Sequence, residues 1–222
     1  SMYTKEELQQ LGSVLEKYTN VYILSDDIYE KIVYGDNKFS TIAEVCPSLK
    51  ERTLTMNGLS KSHCMTGWRV GYAAGPKNII AAMNKVQSQN ISSTSSISMA
   101  ASVEALNGDQ SFIDSNNKSF LRRRDFVVKN LNEAEGLSCR TPEGAFYVFP
   151  SCKGVIGKTT PEGKLISNDG DFMDYLLDSV GVAGVQGSAF GLKSYFRISY
   201  ATSDKILEDA CKRIKQACDK LS

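Results

Sequence analysis

The sequence has almost no net charge, no long apolar run, no Cys-x-x-Cys pair and only one histidine, and each shortage excludes a class of function. With 26 basic against 25 acidic side chains the formal charge is +1, so no broad field of one sign would gather nucleic acid or an anionic membrane. The run Arg122-Arg123-Arg124 is local and reads as a solvated helix face. No stretch reaches the roughly 20 apolar residues of a membrane-crossing helix, and no signal-peptide pattern opens the chain. Six cysteines without paired spacing suggest reduced thiols and a cytoplasmic setting. Cys211 and Cys218 share a helix face, but with His63 as the sole histidine no metal-ligand cluster accompanies them, and core filling is the expectation. The same scarcity disfavours a serine hydrolase, since nothing matches Gly-x-Ser-x-Gly and a triad would have to use His63. Gly154-Val155-Ile156-Gly157-Lys158-Thr159 is too short between its glycines for a P-loop and reads as a flexible surface loop.

What is present is ordinary globular material, 41% hydrophobic and 23% charged in 222 residues. Thr4 and Glu7 are spaced as a capping box ahead of Leu8, Leu11, Val14 and Leu15, which recur at helical intervals. Short β-rich segments follow at Val21 to Leu24, Thr53 to Met56 and Val70 to Ala74, the first running into Ser25-Asp26-Asp27. Pro76 suits the first turn of a helix carrying Ile79, Ile80, Met83 and Val86. Strands alternating with helices predict an α/β, mostly parallel sheet, and in such sheets ligands gather at the carboxyl ends of strands, where Asp26 and Lys61 fall. Helices are expected through Met99 to Leu106, from about Phe112 to Leu131, around Phe172 to Leu177, and at the C-terminus through Ile206, Leu207, Ala210, Cys211, Ile214, Ala217 and Leu221. Short strands are expected near Val182 and from Phe196 to Tyr200. The change of texture places a domain boundary near residue 110, with an α+β domain over 111–222.

Three segments carry chemistry: Asp26-Asp27-Ile28-Tyr29, Ser60-Lys61 with Met65-Thr66-Gly67-Trp68-Arg69 after it, and Gly187-Ser188-Ala189-Phe190-Gly191 shortly before Phe196-Arg197-Ile198-Ser199. Singly each is weak, because an Asp after a strand or a lone Lys or Arg is usually solvated surface. Together, in this order and spacing, they resemble the fold-type-I pyridoxal phosphate (PLP) enzymes, specifically class I aminotransferases of the aspartate aminotransferase type. The resemblance runs along essentially the whole chain. It implies the C-terminal part of a large PLP-binding domain over 1–110, followed by a small C-terminal domain over 111–222.

The resemblance also implies roles. Lys61 is the amine that bonds the cofactor and later acts as a base, a task that suits a buried lysine of lowered pKa. Asp26 is the buried carboxylate that keeps the pyridine nitrogen protonated, with Asp27 only its neighbour, and Tyr29 bonds the ring's 3-oxygen. Arg69 and Ser60 hold the phosphate, and Arg197 grips the substrate α-carboxylate as a planar fork. The chain departs from the family at Gly58, where relatives often carry a phosphate-binding hydroxyl, at Cys64, and at Gln186, where many have proline. The implied reaction moves an amino group between aspartate and 2-oxoglutarate. Aromatic, alanine or prephenate-type transamination is the alternative within the fold, and a non-catalytic aminotransferase-like module the alternative outside it.

Members of this family are nearly twice as long and carry an Asn-Pro-x-Gly segment just ahead of where the present chain starts. That difference in length implies a truncated portion, and Ser1-Met2, read as a tag remnant followed by an initiator, puts the expected truncation in the expressed gene or its boundaries. The expectation is a homodimer when full-length, and a fragment that alone is weakly active or inactive and self-associates through uncovered strands.

Overall fold

The computed structural model describes residues 2–222 and divides into two compact units, one running to Asn117 and taking in Glu143–Ala145, the other Lys118–Pro142 with Phe146–Ser222.

In the first unit, helix α1 (Lys5–Leu15) starts as the sequence requires: Thr4 Oγ1 accepts from the Glu7 amide at 3.1 Å while Glu7 accepts from the Thr4 amide at 2.8 Å. Its last turn is closed from a distance. The Arg52 guanidinium donates to the carbonyls of Leu15, Tyr18 and Val21, each at 2.7 Å, so orphan helix-end acceptors are met by a fixed charge. Gly12 lets α1 lie directly on Cys46, whose Sγ a β-carbon at position 12 would overlap. Leu8, Ile42, Cys46 and Leu49 form the core beneath it, with Leu15, Ile23 and Val45 at its margin.

Strand β1 (Ile23–Asp26) pairs in parallel with β2 (Thr53–Gly58), with Asp26 opposite Met56. The crossover between them contains helix α2 (Ile42–Val45). Strand β3 (Gly71–Ala74) runs antiparallel to β2, so this three-stranded sheet is mixed. The reason is local. Between β2 and β3 lie only the Lys61 turn and a short 3₁₀ segment, Thr66–Trp68, and no crossover helix returns the chain to the same end of the sheet. β1 and β3 are the outer strands, and Tyr22, Leu24 and Tyr72 beside them are exposed. Helix α3 (Lys77–Asn90) has Pro76 as its N-cap, one position earlier than the first turn, and α4 (Ser96–Asn107) follows.

Helix α5 (Ser111–Asn132) enters the second unit at Lys118. That unit has strands β4 (Tyr147–Val148), β5 (Val185–Gln186) and β6 (Phe196–Ser199) in the antiparallel order β4-β6-β5, with helices α6 (Asp169–Val180) and α7 (Asp204–Cys218). Phe172 and Phe196 meet edge to face at 5.5 Å in a core shared with Tyr200, Leu176 and Ile214. Cys211 and Cys218 fill this core, and burial pushes their thiols up to about 11 and about 12. The arginine run is tethered: Arg122 and Arg123 both pair with Asp204 and Arg124 with Asp125.

The glycine-rich segment near 154 corrects the expectation of a flexible loop. Val155 is fully buried, Gly154 packs against the backbone of Gly136, and the Thr159 amide donates to Ser222 at 2.7 Å. Two glycines permit that approach, a contact between distant segments that local composition does not encode. Among the described residues no helix is long and apolar enough to cross a membrane.

Candidate active site

β1 ends on two aspartates with opposite fates. Asp27 is buried, accepts from the Ser25 hydroxyl at 2.8 Å, and its amide donates to Met56 at 2.9 Å, extending the β1–β2 ladder. Asp26 is exposed rather than buried, and its carboxylate has only a long 3.4 Å approach from the Ile28 amide. Nothing in this unit covers it, because it closes an outer strand. It stands between two clefts of the first unit. One, about 370 Å³, is lined by Asp26, Tyr29, Leu8 and Gly144; the other, about 430 Å³, by Asp26, Asn57, Tyr72 and residues of α3.

Past Asp27 the chain turns, with Glu30 N–H donating to the Asp27 carbonyl and Ile32 N–H to that of Tyr29, both at 2.9 Å. This turn brings the half-buried Tyr29 ring within 6.0 Å of Lys61 Nζ. Lys61 is half-buried on the turn that leaves β2. Leu59, 1% exposed, anchors that turn, and its carbonyl accepts from the amides of His63 and Met65 at 3.2 and 3.3 Å. The Ser60 carbonyl accepts from Thr66 Oγ1 at 3.0 Å. Asp26, Tyr29 and Lys61 are thus gathered at the carboxyl ends of the parallel strands β1 and β2.

Arg69 is exposed at the far end of the same connection, in the left-handed region at φ 56°, with Nη1 donating to the Thr66 carbonyl at 3.0 Å. Cys64 is left-handed too, at φ 54°. For non-glycine residues this conformation costs on the order of 1 kcal/mol each, so the segment is held in shape by its surroundings. Gly58 also fits closely, since a β-carbon there would stand 3.0 Å from the Val70 carbonyl and any side chain would press on the neighbouring strand.

Sequence reasoning missed what supports the lysine turn. His63 is 8% exposed, its Nδ1 lies 2.8 Å from the Ser62 hydroxyl and its Nε2 3.0 Å from Gln110 Oε1. The Gln110 amide nitrogen donates to the carbonyls of Ala105 and Gly108, so its oxygen is the atom that faces His63. The Nε2 side of the ring thus meets an acceptor, and Nδ1 meets a hydroxyl that can donate or accept. The only signal available beforehand was that this is the single histidine and lies beside Lys61.

Arg197 belongs to the second unit. On β6 its guanidinium is sandwiched by Tyr147 of β4, at 4.5 Å from the ring centroid, and by Phe190, at 4.6 Å. Phe190 comes from the turn Gly187–Phe190, where a β-carbon on Gly187 would collide with the Leu192 carbonyl. Among the described residues no group of three His, Cys, Asp or Glu side chains could hold a metal ion.

Comparison with known proteins places the chain in a family. Residues 1–214 match the family model "Aminotransferase class I and II". A probable aspartate/prephenate aminotransferase of Rhizobium leguminosarum bv. phaseoli is 58% identical over 97% of the chain, and an aspartate aminotransferase of Rhizobium meliloti strain 1021 is 56% identical over 99%. The chain covers 54% of each of these proteins, so it spans about half the length of the curated relatives it matches. The crystal structure of the aspartate aminotransferase from Rhizobium meliloti superposes with a TM-score of 0.96 at 55% identity, over 99% of this chain and 55% of that one. An aromatic aminotransferase from Pyrococcus horikoshii OT3 gives 0.86 at 35% identity, over 96% and 54%. The chain belongs to the class I and II aminotransferase family.

Proposed function

We propose that the protein of which this chain forms part is a PLP-dependent transaminase moving an amino group between aspartate and 2-oxoglutarate. The observation that carries the reading is the gathering of an amine, a phenol and an uncommitted carboxylate, Lys61, Tyr29 and Asp26, at one end of the sheet in the first unit. These residues fit the cofactor. A pyridine nitrogen needs a carboxylate whose oxygens are not already engaged, and of the adjacent aspartates Asp26 is available while Asp27 is bonded to Ser25. Bound PLP supplies an aldehyde for an amine and a ring that takes up electron density from the substrate α-carbon.

In this reading the chain's own residues bind, orient and move protons. Lys61 Nζ anchors the cofactor and is the base that takes the proton from the substrate α-carbon. Asp26 holds the ring nitrogen's proton, Tyr29 orients the ring through its 3-oxygen, and Ser60 and Arg69 hold the phosphate. Arg197 receives the substrate α-carboxylate, its fork stiffened by the rings on either side. The first unit corresponds to the C-terminal part of the large PLP-binding domain and the second to the small domain. The complete enzyme is a homodimer in the cytoplasm, a setting consistent with six free thiols. Because the relatives extend well beyond the matched region, the 222-residue chain alone is expected to be a weak catalyst.

The test is addition of PLP to the 222-residue chain, followed by absorbance and by borohydride trapping with peptide mapping. The expected result is a cofactor band, with the trapped label on Lys61, that Lys61→Ala removes. An identical spectrum from the two proteins would defeat the reading. Several relatives are aspartate/prephenate aminotransferases by name, which favours prephenate as an amino acceptor beside 2-oxoglutarate. Assay of the full-length protein with aspartate and each acceptor separates them.

A further inference from the structure

Asp169 is a buried carboxylate that the functional reading does not use. It is 2% exposed, and Oδ2 accepts from Ser188 N–H at 2.7 Å and Oδ1 from Ser194 N–H at 3.2 Å, residues 19 and 25 positions further along the chain, with the Ser188 hydroxyl a further donor. Capping α6 does not explain it. Asn168 already fills that role, accepting from the amides of Gly170 and Asp171 at 2.8 and 3.1 Å. Taking a carboxylate out of water is costly unless its oxygens are met, so a charge placed here in addition to the cap is tied to what it bonds.

What it bonds is the turn beside Arg197. Ser188 and Ser194 bracket the segment that carries Phe190, and Phe190 is one of the two rings holding the Arg197 guanidinium. The turn has backbone hydrogen bonds of its own, from Leu192 and Gly191 N–H to the Gly187 and Ser188 carbonyls, but little packs on its tip. Phe190 itself is about half exposed, at 49%, and meets Phe149 only edge on at 5.9 Å. Ser194 sits in the left-handed region at φ 62°, a conformation a non-glycine residue keeps only when its neighbours impose it. The Ser194 carbonyl is held from the other side by the Cys152 amide at 2.9 Å.

We infer that Asp169 is a positioning residue for Arg197: by accepting from Ser188 and Ser194 it fixes the turn that presses Phe190 on the guanidinium, and so sets the direction of the fork before a carboxylate arrives. The geometry is supported by electrostatics. Burial alone would raise the Asp169 carboxyl, yet donation by Ser188 and Ser194 outweighs it and holds the group below the usual carboxylate range. The functional consequence rests on the proposal that Arg197 grips the substrate α-carboxylate.

The experiment uses the ¹⁵N-labelled 222-residue chain and the Arg197 Nε–Hε resonance, assigned with Arg197→Lys. Two rings at about 4.5 Å should shift it away from the position of a solvated arginine. Asp169→Asn keeps the shape and removes the double acceptor, and Ser188→Pro removes the stronger donor while leaving the carboxylate in place. Each should move the Arg197 signal toward the solvated position, and adding Asp169→Asn to Phe190→Leu should move it no further than Phe190→Leu does alone. A folded variant of either kind with the signal unmoved would overturn the inference. So would loss of the whole second unit in both, because Asp169 would then be a general requirement of the fold.

A second arm separates this inference from the function it rests on. Succinate is titrated into wild type and Asp169→Asn, with the expectation that the Arg197 signal responds in both and that the variant needs roughly tenfold more, as for one lost charge-assisted bond. If wild type ignores succinate while the ring-shift results hold, Arg197 loses its assigned ligand and Asp169 keeps its role. If both respond equally, the orientation is immaterial to binding and the functional part of the inference fails.

Discussion

The two units differ in how they hold themselves together. Of the largest side chains buried to below 2% exposure, only Ile32, Leu49 and Leu59 lie in the first unit, whereas Tyr200, Phe172, Phe196, Leu131, Ile166, Leu176, Ile214, Val127 and Val148 lie in the second. Exposed apolar side chains show the opposite bias. Tyr22, Leu24, Val86, Ile91, Ile97 and Val103 of the first unit all exceed 60% exposure, while the most exposed in the second, Ile206, reaches 58%. The second unit is a packed core that carries the Arg197 guanidinium against two aromatic rings. The first owes more to side-chain hydrogen bonds, such as those of Arg52 to the carbonyls at the end of α1 and of His63 to the Ser62 and Gln110 side chains. The proposed cofactor residues sit in the less packed of the two.

The strongest way to break this comparison is a pair of truncations. Phe172→Ala should cost about 3–5 kcal/mol by emptying the core of the second unit, while Val103→Ala, 61% exposed, should stay within about 0.5 kcal/mol; urea unfolding followed by near-ultraviolet dichroism measures both. Equal losses would show that Val103 is covered. Next, the exposed apolar face of the first unit should make the chain self-associate, and Val86→Lys with Val103→Lys should raise the dissociation constant at least about tenfold in sedimentation velocity. A monomer independent of concentration would remove the asymmetry.

Arg52→Met tests the bonds at the end of α1. Loss of three charge-assisted bonds should destabilise the first unit by about 2 kcal/mol and expose the end of α1 to amide exchange, with the second unit unchanged. A pH response should come from Asp169 in the second unit. Asp169 has its folded pKa lowered from 3.8, so its contribution is complete above that value and is lost as pH falls through the lower, folded one. Unfolding profiles of Asp169→Asn should therefore be flatter below about pH 4.

The smallest effect is a chemical count. Cys64 is exposed and should react first with a thiol reagent at pH 8, whereas Cys139, Cys152 and Cys218, pushed up to about 12 by burial, should wait for unfolding.

Local features of the sequence were legible, and long-range ones were not. The Thr4–Glu7 box and the periodic helices α5 and α7 are set by residues three or four apart, and they stand where the spacing puts them. The first strand, expected from Val21 to Leu24, runs instead from Ile23 to Asp26, because Tyr18 and Val21 give their carbonyls to Arg52, 34 and 31 residues away. The antiparallel β3 was hidden for a related reason: strand direction depends on what the connection does, and an alternating apolar pattern is the same read either way. At the candidate site, the motifs put Asp26 and Lys61 at strand ends, and that is where they lie. That Asp27, not Asp26, is the buried member of its pair was not readable from them, since one carboxylate is consumed by the sheet and its neighbour is left facing a cleft.

The lone imidazole has a practical consequence. A protein with one histidine, placed two positions after the amine that would bond the cofactor, carries a built-in spectroscopic reporter. Its two ring nitrogens should give a single pair of ¹⁵N signals, free of overlap with any other imidazole. Any rearrangement around Lys61 that pulls on Ser62 or Gln110 would be read from that pair, without a dye, a tag or a substitution.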